Sequence, residues 1–402
     1  MRRWLLLACF ACEPAAAQAL AWQGYIDLRV AAPASQQDWS DGGLGKTRFG
    51  GSSHAAISAA VVAAWQPTPE LLASATLQLQ SDQRRPLDLL DASLRWRPVS
   101  TTAWRWSAKI GVFYPPVSLE NDAVGWTSAW TLTPSAINSW VGEELRSTGI
   151  EMRIEHRGEM ASWSGVASAF GRNDPAGELL ASRGWALNDL TSGLFARVRQ
   201  PDAYAAQART EPPVRFDPFL EIDHRTGWYA GIARDGVDGS RLALLRYDNR
   251  GDPEAWANVA GRRLYAWHTR FWSLGGKMTV GEVELVAQAM DGGTAFEPQP
   301  GLYLDSRFSA GYLLASWNPG GAWQPALRVD RFRIRQLPEA LEAPLSEHGN
   351  AWVAALNWRP DARWRVTGEL LRVDSTRNQR VLEGRSRRQV DLQAQLSLRC
   401  FF

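Results

Sequence analysis

Five histidines, His54, His156, His224, His268 and His348, are the first place to look for catalysis in this 402-residue chain. None lies in a working motif. The sequence has no Gly-x-Ser-x-Gly elbow, no His-Glu-x-x-His and no phosphate-binding glycine loop. Asp223 and His224 are adjacent, but neighbours on a strand point to opposite faces and make a poor catalytic pair. The cysteines, Cys9, Cys12 and Cys400, have no zinc or iron–sulfur spacing. No catalytic residue, metal or cofactor is therefore expected. The residue types support electrostatics instead: 44 Lys and Arg face 42 Asp and Glu, a net charge of +2. A chain so nearly balanced is not expected to bind nucleic acid.

The charged residues recur on one side of an alternating pattern. Arg95, Arg105, Lys109, Arg153, Arg246, Arg270, Arg328, Arg365 and Arg399 alternate with apolar neighbours. So do Asp91, Glu151, Glu155, Glu221, Asp223, Glu282, Glu284, Asp330, Glu369 and Asp391. On extended strands these side chains share a wet face, where mixed charges stay solvated and steer solutes by their field. The segment 113–146 is different. It holds Tyr114, Trp126, Trp130 and Trp140 and is too apolar for a loop left in water. Such a loop should bury against something, and the most economical place is the space that the charged faces enclose.

The elements that must position these groups are strands. Ala73, Ala75, Leu77 and Leu79 alternate with Ser74, Thr76, Gln78 and Gln80; Trp104, Trp106, Ala108, Ile110 and Val112 alternate with Arg105, Ser107, Lys109 and Gly111. A strand of this period puts one face on hydrocarbon and the other on water. The longest apolar run, Ala55 to Trp65, falls far short of the ~20 residues of a spanning helix. A membrane chain without such a helix must close its strands into a barrel, because hydrocarbon satisfies no free backbone group. The expected fold is all-β, a transmembrane antiparallel barrel of about 16–18 strands. The strand count reaches about 18, with 16 the nearest rival. Short turns are expected near 66–69, 97–102, 157–158, 237–240, 275–276, 318–321 and 359–362, and longer loops on the other side. Residues 200–213 read as a long turn and Arg225-Thr226 as a tight outer hairpin. Trp65, Trp96, Trp104, Trp317, Trp323, Trp358 and Trp364 lie at strand ends, as an interfacial aromatic girdle requires. A barrel of this width leaves an aqueous channel, whereas an eight-stranded one fills with side chains.

Both ends of the chain agree. Arg2, Arg3 and the apolar stretch that follows read as a signal peptide spanning 1–19, with Ala17-Gln18-Ala19 as a small-x-small cleavage site. Ala19-Leu20-Ala21 is a second candidate site, and Leu6-Leu7-Ala8-Cys9 a loose lipobox. Cleavage would leave Cys400 without an intrachain partner and a net charge of +1. Residues 20–402 are expected to be one barrel, with 114–145 folded inward. From Val390 to Phe402, Leu392, Ala394, Leu396, Leu398 and Cys400 are apolar at every second position. The closing aromatic resembles the terminal strand of bacterial outer-membrane barrels. That resemblance implies that Leu398, Cys400 and Phe402 form part of the signal read by the barrel assembly machinery.

The phrase Gly111-x-Phe113-x-x-Pro116-x-Ser118-Leu119-Glu120 is similar to the stretch leading into the constriction loop of Gram-negative porins related to the phosphate-selective porins. The resemblance implies that the third loop narrows the channel. Glu120, Asp122, Glu143 and Glu144 would then face wall residues such as Arg95, Arg105, Lys109 and Arg153. It implies a homotrimer, with outer-membrane lipid, lipopolysaccharide and small hydrophilic solutes as partners. Phosphate specificity is not expected, because the inward Arg are matched by acids and an anion needs net positive potential along its path. Arg328, Arg331, Arg333 and Arg335 read as part of a cation column or, preferably, as a strand end against lipopolysaccharide phosphates. The expected function is passive diffusion of small solutes across the outer membrane. A plugged, non-conducting barrel and, further off, an outer-membrane enzyme remain the alternatives.

Overall fold

An extended chain with one apolar face cannot leave its backbone groups unpaired in hydrocarbon, and strands wound into a closed ladder satisfy all of them. The computed structural model describes residues 19–33, 38–207, 211–337 and 345–402. The expected signal peptide and its Ala17-Gln18-Ala19 site lie outside the described residues, except for Ala19. The first half of the barrel is β1 (Ala19–Pro33), β2 (His54–Thr68), β3 (Leu71–Gln80), β4 (Leu87–Trp96), β5 (Trp104–Phe113), β6 (Ser147–Arg157), β7 (Ala161–Gly171) and β8 (Gly227–Gly236). The second is β9 (Arg241–Asp248), β10 (His268–Val280), β11 (Val283–Phe296), β12 (Leu304–Trp317), β13 (Trp323–Leu337), β14 (Glu347–Trp358), β15 (Trp364–Arg377) and β16 (Arg388–Phe401). Each pairs antiparallel with the next, and β16 closes on β1 through pairs such as Tyr25 with Phe401 and Leu28 with Leu398.

The barrel has sixteen strands, the lower end of the expected range. Two misread connections account for the higher count. Gly275 and Gly276 lie inside β10, paired with Ala243 and Leu242, and the chain turns later, at Gly281-Glu282. Residues 199–226 add no wall strand. They belong to one long outer connection, 172–226, in which Val198–Arg199 and Arg215–Phe216 form a small ladder of their own. A register shift between β3 and β4 places Thr76 opposite Asp91 and then Leu77 opposite Leu89. This bulge keeps Leu87 on the lipid side and Asp88 inside. At the short-turn end Trp65, Trp96, Trp104, Trp317, Trp323, Trp358 and Trp364 are all exposed, and Trp323 packs on Trp358 across β13 and β14. Indoles at this level suit the headgroup region.

The lumen is not lined evenly. From β7 to β15 the inward side chains include Phe170, Tyr229, Tyr247, Phe271, Phe308, Phe332 and Leu371, all buried. From β16 round to β3 they include Asp27, Arg29, Gln78, Gln80, Gln395 and Arg399, also buried. Buried aromatic side chains therefore concentrate on β7–β13, while buried charged and amide side chains, beginning with Arg328 and Asp330 on β13 and Glu369 on β15, continue round through β16 to β3. The sequence pattern led us to expect a wet, charged face all the way round.

Candidate functional site

The segment 114–146, the third outer connection, crosses the lumen. Ser135 starts its helix α1 (Ala136–Glu144) by accepting a hydrogen bond from the Asn138 amide, as an N-cap does. Ile137, Trp140 and Val141 then share one face, three and four residues apart, and pack on the aromatic wall; Trp140 meets Phe271 and Phe308 edge-on. Burying each large apolar side chain contributes about 1.5–3 kcal/mol. Gly111, at the end of β5, holds φ +141° where an added Cβ would lie 2.2 Å from the Ala92 carbonyl oxygen. That gives the first residue of the Gly111-to-Glu120 phrase a backbone reason.

Polar pegs fix the loop to β13, β15 and β16, beside the aromatic seat. Buried Arg328 on β13 reaches Glu120 at 2.6 Å and Asp330 at 2.8 Å, and donates to the carbonyls of Thr133 and Pro134. Glu369 on β15 accepts the amides of Leu132 and Thr133, at 2.6 and 3.1 Å. Asp330 accepts the Ala136 amide, and Gln395 donates to Thr133 Oγ1. Towards the short-turn end Arg365 and Arg359 donate to the Ala129 carbonyl, while Lys277 pairs with Glu284 at 3.1 Å and Asp122 at 3.6 Å.

One loop acid, Glu120, does meet an expected wall arginine, Arg328, but none pairs with Arg95, Arg105, Lys109 or Arg153. Glu120 is taken by Arg328, and Glu143 by Arg183 in a bidentate pair at 2.6 and 3.0 Å. Glu144 accepts the Trp140 indole and the Leu179 and Leu180 amides. Lys109 pairs with Glu151 across β5 and β6 at 2.8 Å, and Arg153 donates to Ser164. Arg95 and Arg105 lie on the inward face near the short turns, away from those acids. Arg246 and Arg270 are not wall residues of the lumen. Their neighbours Tyr247, Thr269 and Phe271 are buried inside, so both Arg face outward, and Arg246 covers the exposed Trp272 ring. Polarity alone misassigned them, because a strand emerging from the bilayer also carries Arg on its outer face. Glu282 lies in a turn, bonded by Trp317, and Glu221 and Asp223 lie in the 172–226 connection. There, among the described residues, carboxylate oxygens of Asp174, Glu221 and Asp223 approach within 4.8 Å of one another. They accept backbone amides of Arg172, Ile222, Asp223, His224, Arg225 and Asp252.

Sequence reasoning missed the second filling segment. The 172–226 connection also folds inward, through helix α2 (Glu178–Arg183) and the stretch after it. Trp185 is fully buried against Trp140 and Phe308. Asp189 bridges Arg29 on β1 and Arg48, the latter at 2.8 Å, and these two cations hold its carboxyl well below the usual range against the opposing effect of burial. Asn188 and Ser139 bond each other at 2.9 and 3.0 Å, and Arg146 donates to the Leu90 and Ser192 carbonyls. The signal was present in Leu179-Leu180 and Trp185-Ala186-Leu187, which are as apolar as the third loop.

Open space remains on the polar side. A cavity of about 470 Å³ opens at the outer mouth, between the β3–β4 connection and residues 190–199 with Arg215. Arg84, Arg85, Arg197, Arg199 and Arg215 line it, and among the described residues that line it Asp88 is the single acid. Asp88 is buried and accepts the Phe195 amide. Arg199 is paired with Asp202 at 2.9 Å. Burial, with Arg84 and Arg199 nearby, pushes the Arg215 guanidinium pKa down. Gln80 and Thr191 form part of the floor of this cavity and also line a tighter space of about 20 Å³ beside Tyr25, Ser58 and Arg399.

A sixteen-stranded barrel with its third loop seated inside is the fold of the outer-membrane porins. No family model matches the chain, and no curated protein does. Among solved structures it is similar to the outer membrane channel DcaP of Acinetobacter baumannii, at 10% identity and TM-score 0.57 over 95% of this chain and 97% of that one. It is similar also to the trimer form of OmpT from Vibrio cholerae, at 9% identity and TM-score 0.53 over 96% and 99%. A third is the anion-selective porin from Comamonas acidovorans, at 11% identity and TM-score 0.50 over 96% and 99%.

Proposed function

We propose that this chain is an outer-membrane channel for the passive diffusion of small hydrophilic solutes, with anions favoured at its outer mouth. The observation that carries the reading is the arginine-lined cavity and its continuation past Gln80 and Thr191 along the polar wall. A solute enters where the potential is positive, then meets a passage narrowed by the loops at 114–146 and 172–226. The anion-selective porin among the neighbours supports the same sign. The trimeric neighbour supports a homotrimer. Export behind a signal peptide and insertion by the barrel assembly machinery belong to this reading, with Leu398, Cys400 and Phe402 as the terminal signal. Phosphate specificity is not part of it.

The test is single-channel current in planar lipid bilayers with a salt gradient. The native chain should give stable ohmic steps and a reversal potential of anion sign. Replacing Arg84, Arg197 and Arg215 with Gln should move that potential towards cations without changing the barrel. A second reading, a plugged barrel, draws on the interlocked loops and the space of only about 20 Å³ between them. Silence from folded protein would favour it.

A further inference from the structure

Arg365 on β15 lies directly opposite Arg399 on β16, and both side chains turn into the lumen, where each residue is 3% exposed. Like charges directly opposite one another on neighbouring strands repel. A third cation joins them from the β14–β15 turn. Arg359 donates to the Ala129 carbonyl at 2.7 Å and Arg365 donates to the same oxygen at 3.1 Å, so two guanidinium groups converge on one neutral acceptor. Neither forms an ion pair among the described residues, and Arg365 Nε is buried without a hydrogen-bond partner.

The carboxylates nearby are already engaged. Asp27 Oδ2 accepts Nε and Nη2 of Arg399 at 2.8 and 2.6 Å and the Ser397 hydroxyl at 2.9 Å, and it lies 3.5 Å from Arg29. Its Oδ1 accepts from none of the arginines, and Arg399 Nη1 is left buried and unpartnered. Glu369, four residues along the same face of β15, accepts the Leu132 and Thr133 amides and the Gln395 side chain. Asp361, in the turn with Arg359, accepts the Arg363 and Trp364 amides. Glu284 takes the Trp130 indole and Lys277. Asp27 alone therefore serves the group formed by Arg359, Arg365 and Arg399. Water would satisfy a stray N–H but leave the charge, and a buried charge without a partner is strongly disfavoured.

We propose that Arg359, Arg365 and Arg399 form a binding site for one compact monovalent anion of halide size, inside the lumen at its short-turn end. Nε of Arg365 and Nη1 of Arg399 donate to the ion, and Arg359, which is exposed, meets it from the short-turn mouth. Arg399 also borders the space of about 20 Å³ beside Gln80 and Thr191, room for about one water-sized sphere. An anion drawn in by the arginines of the outer mouth and passing along the polar wall thus meets a second cationic station before it leaves. That passage rests on the channel reading; the site itself does not.

The test is X-ray diffraction from crystals of the full chain grown in sodium bromide, with bromide located by its anomalous signal. A peak within hydrogen-bonding distance of Arg365 Nε and Arg399 Nη1 is expected in the native chain; it should be lost in Arg365→Gln and weakened in Arg359→Gln. The second measurement is chloride conductance in planar bilayers as the KCl concentration is raised. A binding station makes the native current saturate, and Arg365→Gln should raise the half-saturating concentration by about tenfold, the worth of one charge-assisted hydrogen bond. Arg359→Gln should raise it less, and it decides both measurements should Arg365→Gln not fold. Native crystals without bromide at the three arginines would overturn the proposal, as would a peak of undiminished height in the folded variants. Native and variant currents that saturate alike would overturn the second station on the path. Silence in the bilayer with bromide bound in the crystal would remove the channel reading and leave the site.

Discussion

Replacing Arg328 with Met should release the third loop while leaving the barrel intact. Arg328 is fully buried and satisfies Glu120, Asp330 and two loop carbonyls at once. Met matches its length but leaves two carboxylates without their cation. Breaking a buried pair on one side is destabilising by about 3–5 kcal/mol. Each 1.4 kcal/mol is a factor of ten, so the ratio of seated to released loop should fall by roughly 10² to 4 × 10³. The barrel is held by sixteen ladders that do not involve this side chain, so the loss should fall on the loop alone. In bilayers the variant should show larger steps with frequent transitions between levels, and protease should cut within 120–142 where the native chain resists. A chain lacking 120–142 sets the upper bound of conductance. The double variant Glu120→Gln with Arg328→Met should recover part of the loss, because one orphaned charge is gone. Native conductance and native protease resistance in Arg328→Met would refute the argument. It would mean that the apolar seat of Trp140, Ile137 and Val141 holds the loop by itself.

Two further outcomes follow from loop and seam geometry. Burial pushes Glu144 up to about 8, although the Leu179 amide, the Trp140 indole and Arg183 pull it down, and Glu178 is likewise pushed up to about 7. The seated loops therefore bind protons that freed loops release, and seating should weaken as pH rises from 4.5 to about 8. Protease cutting within 114–146 should increase over that window and be flatter in Glu144→Gln; a native profile that does not change with pH would contradict this. Phe402→Ala should lower the yield of heat-modifiable barrel, because the Phe402 ring lies where Gly24 leaves room and its backbone exchanges hydrogen bonds with Gly24 at 2.9 and 3.1 Å. Wild-type yield would show that the seam closes without the ring.

How much was legible in the sequence differs by element. The period-two pattern of β5 or β16 is a local property, because consecutive side chains on any extended backbone face opposite ways. Barrel closure follows from it, since hydrocarbon offers no other partner to the backbone. The aromatic content of 113–146 likewise announced a loop that must be buried. Partners were beyond reach. Glu120 and Arg328 are 208 residues apart, and nothing local distinguishes Arg328 as its partner from Arg105 or Arg153. Facing was uncertain wherever a run was apolar on both sides, as in Tyr312-Leu313-Leu314 on β12, so the aromatic part of the lumen stayed hidden. Strand ends misled too: Arg246 and Arg270 alternate like lumen residues, yet the ladder turns them to the outside. The sequence by itself determined that this chain alternates, closes and fills its own interior, because those follow from what each residue does to its neighbours. Only the tertiary structure decided which charges are spent holding two loops in place and which are left facing a solute, because that depends on residues brought together from opposite walls.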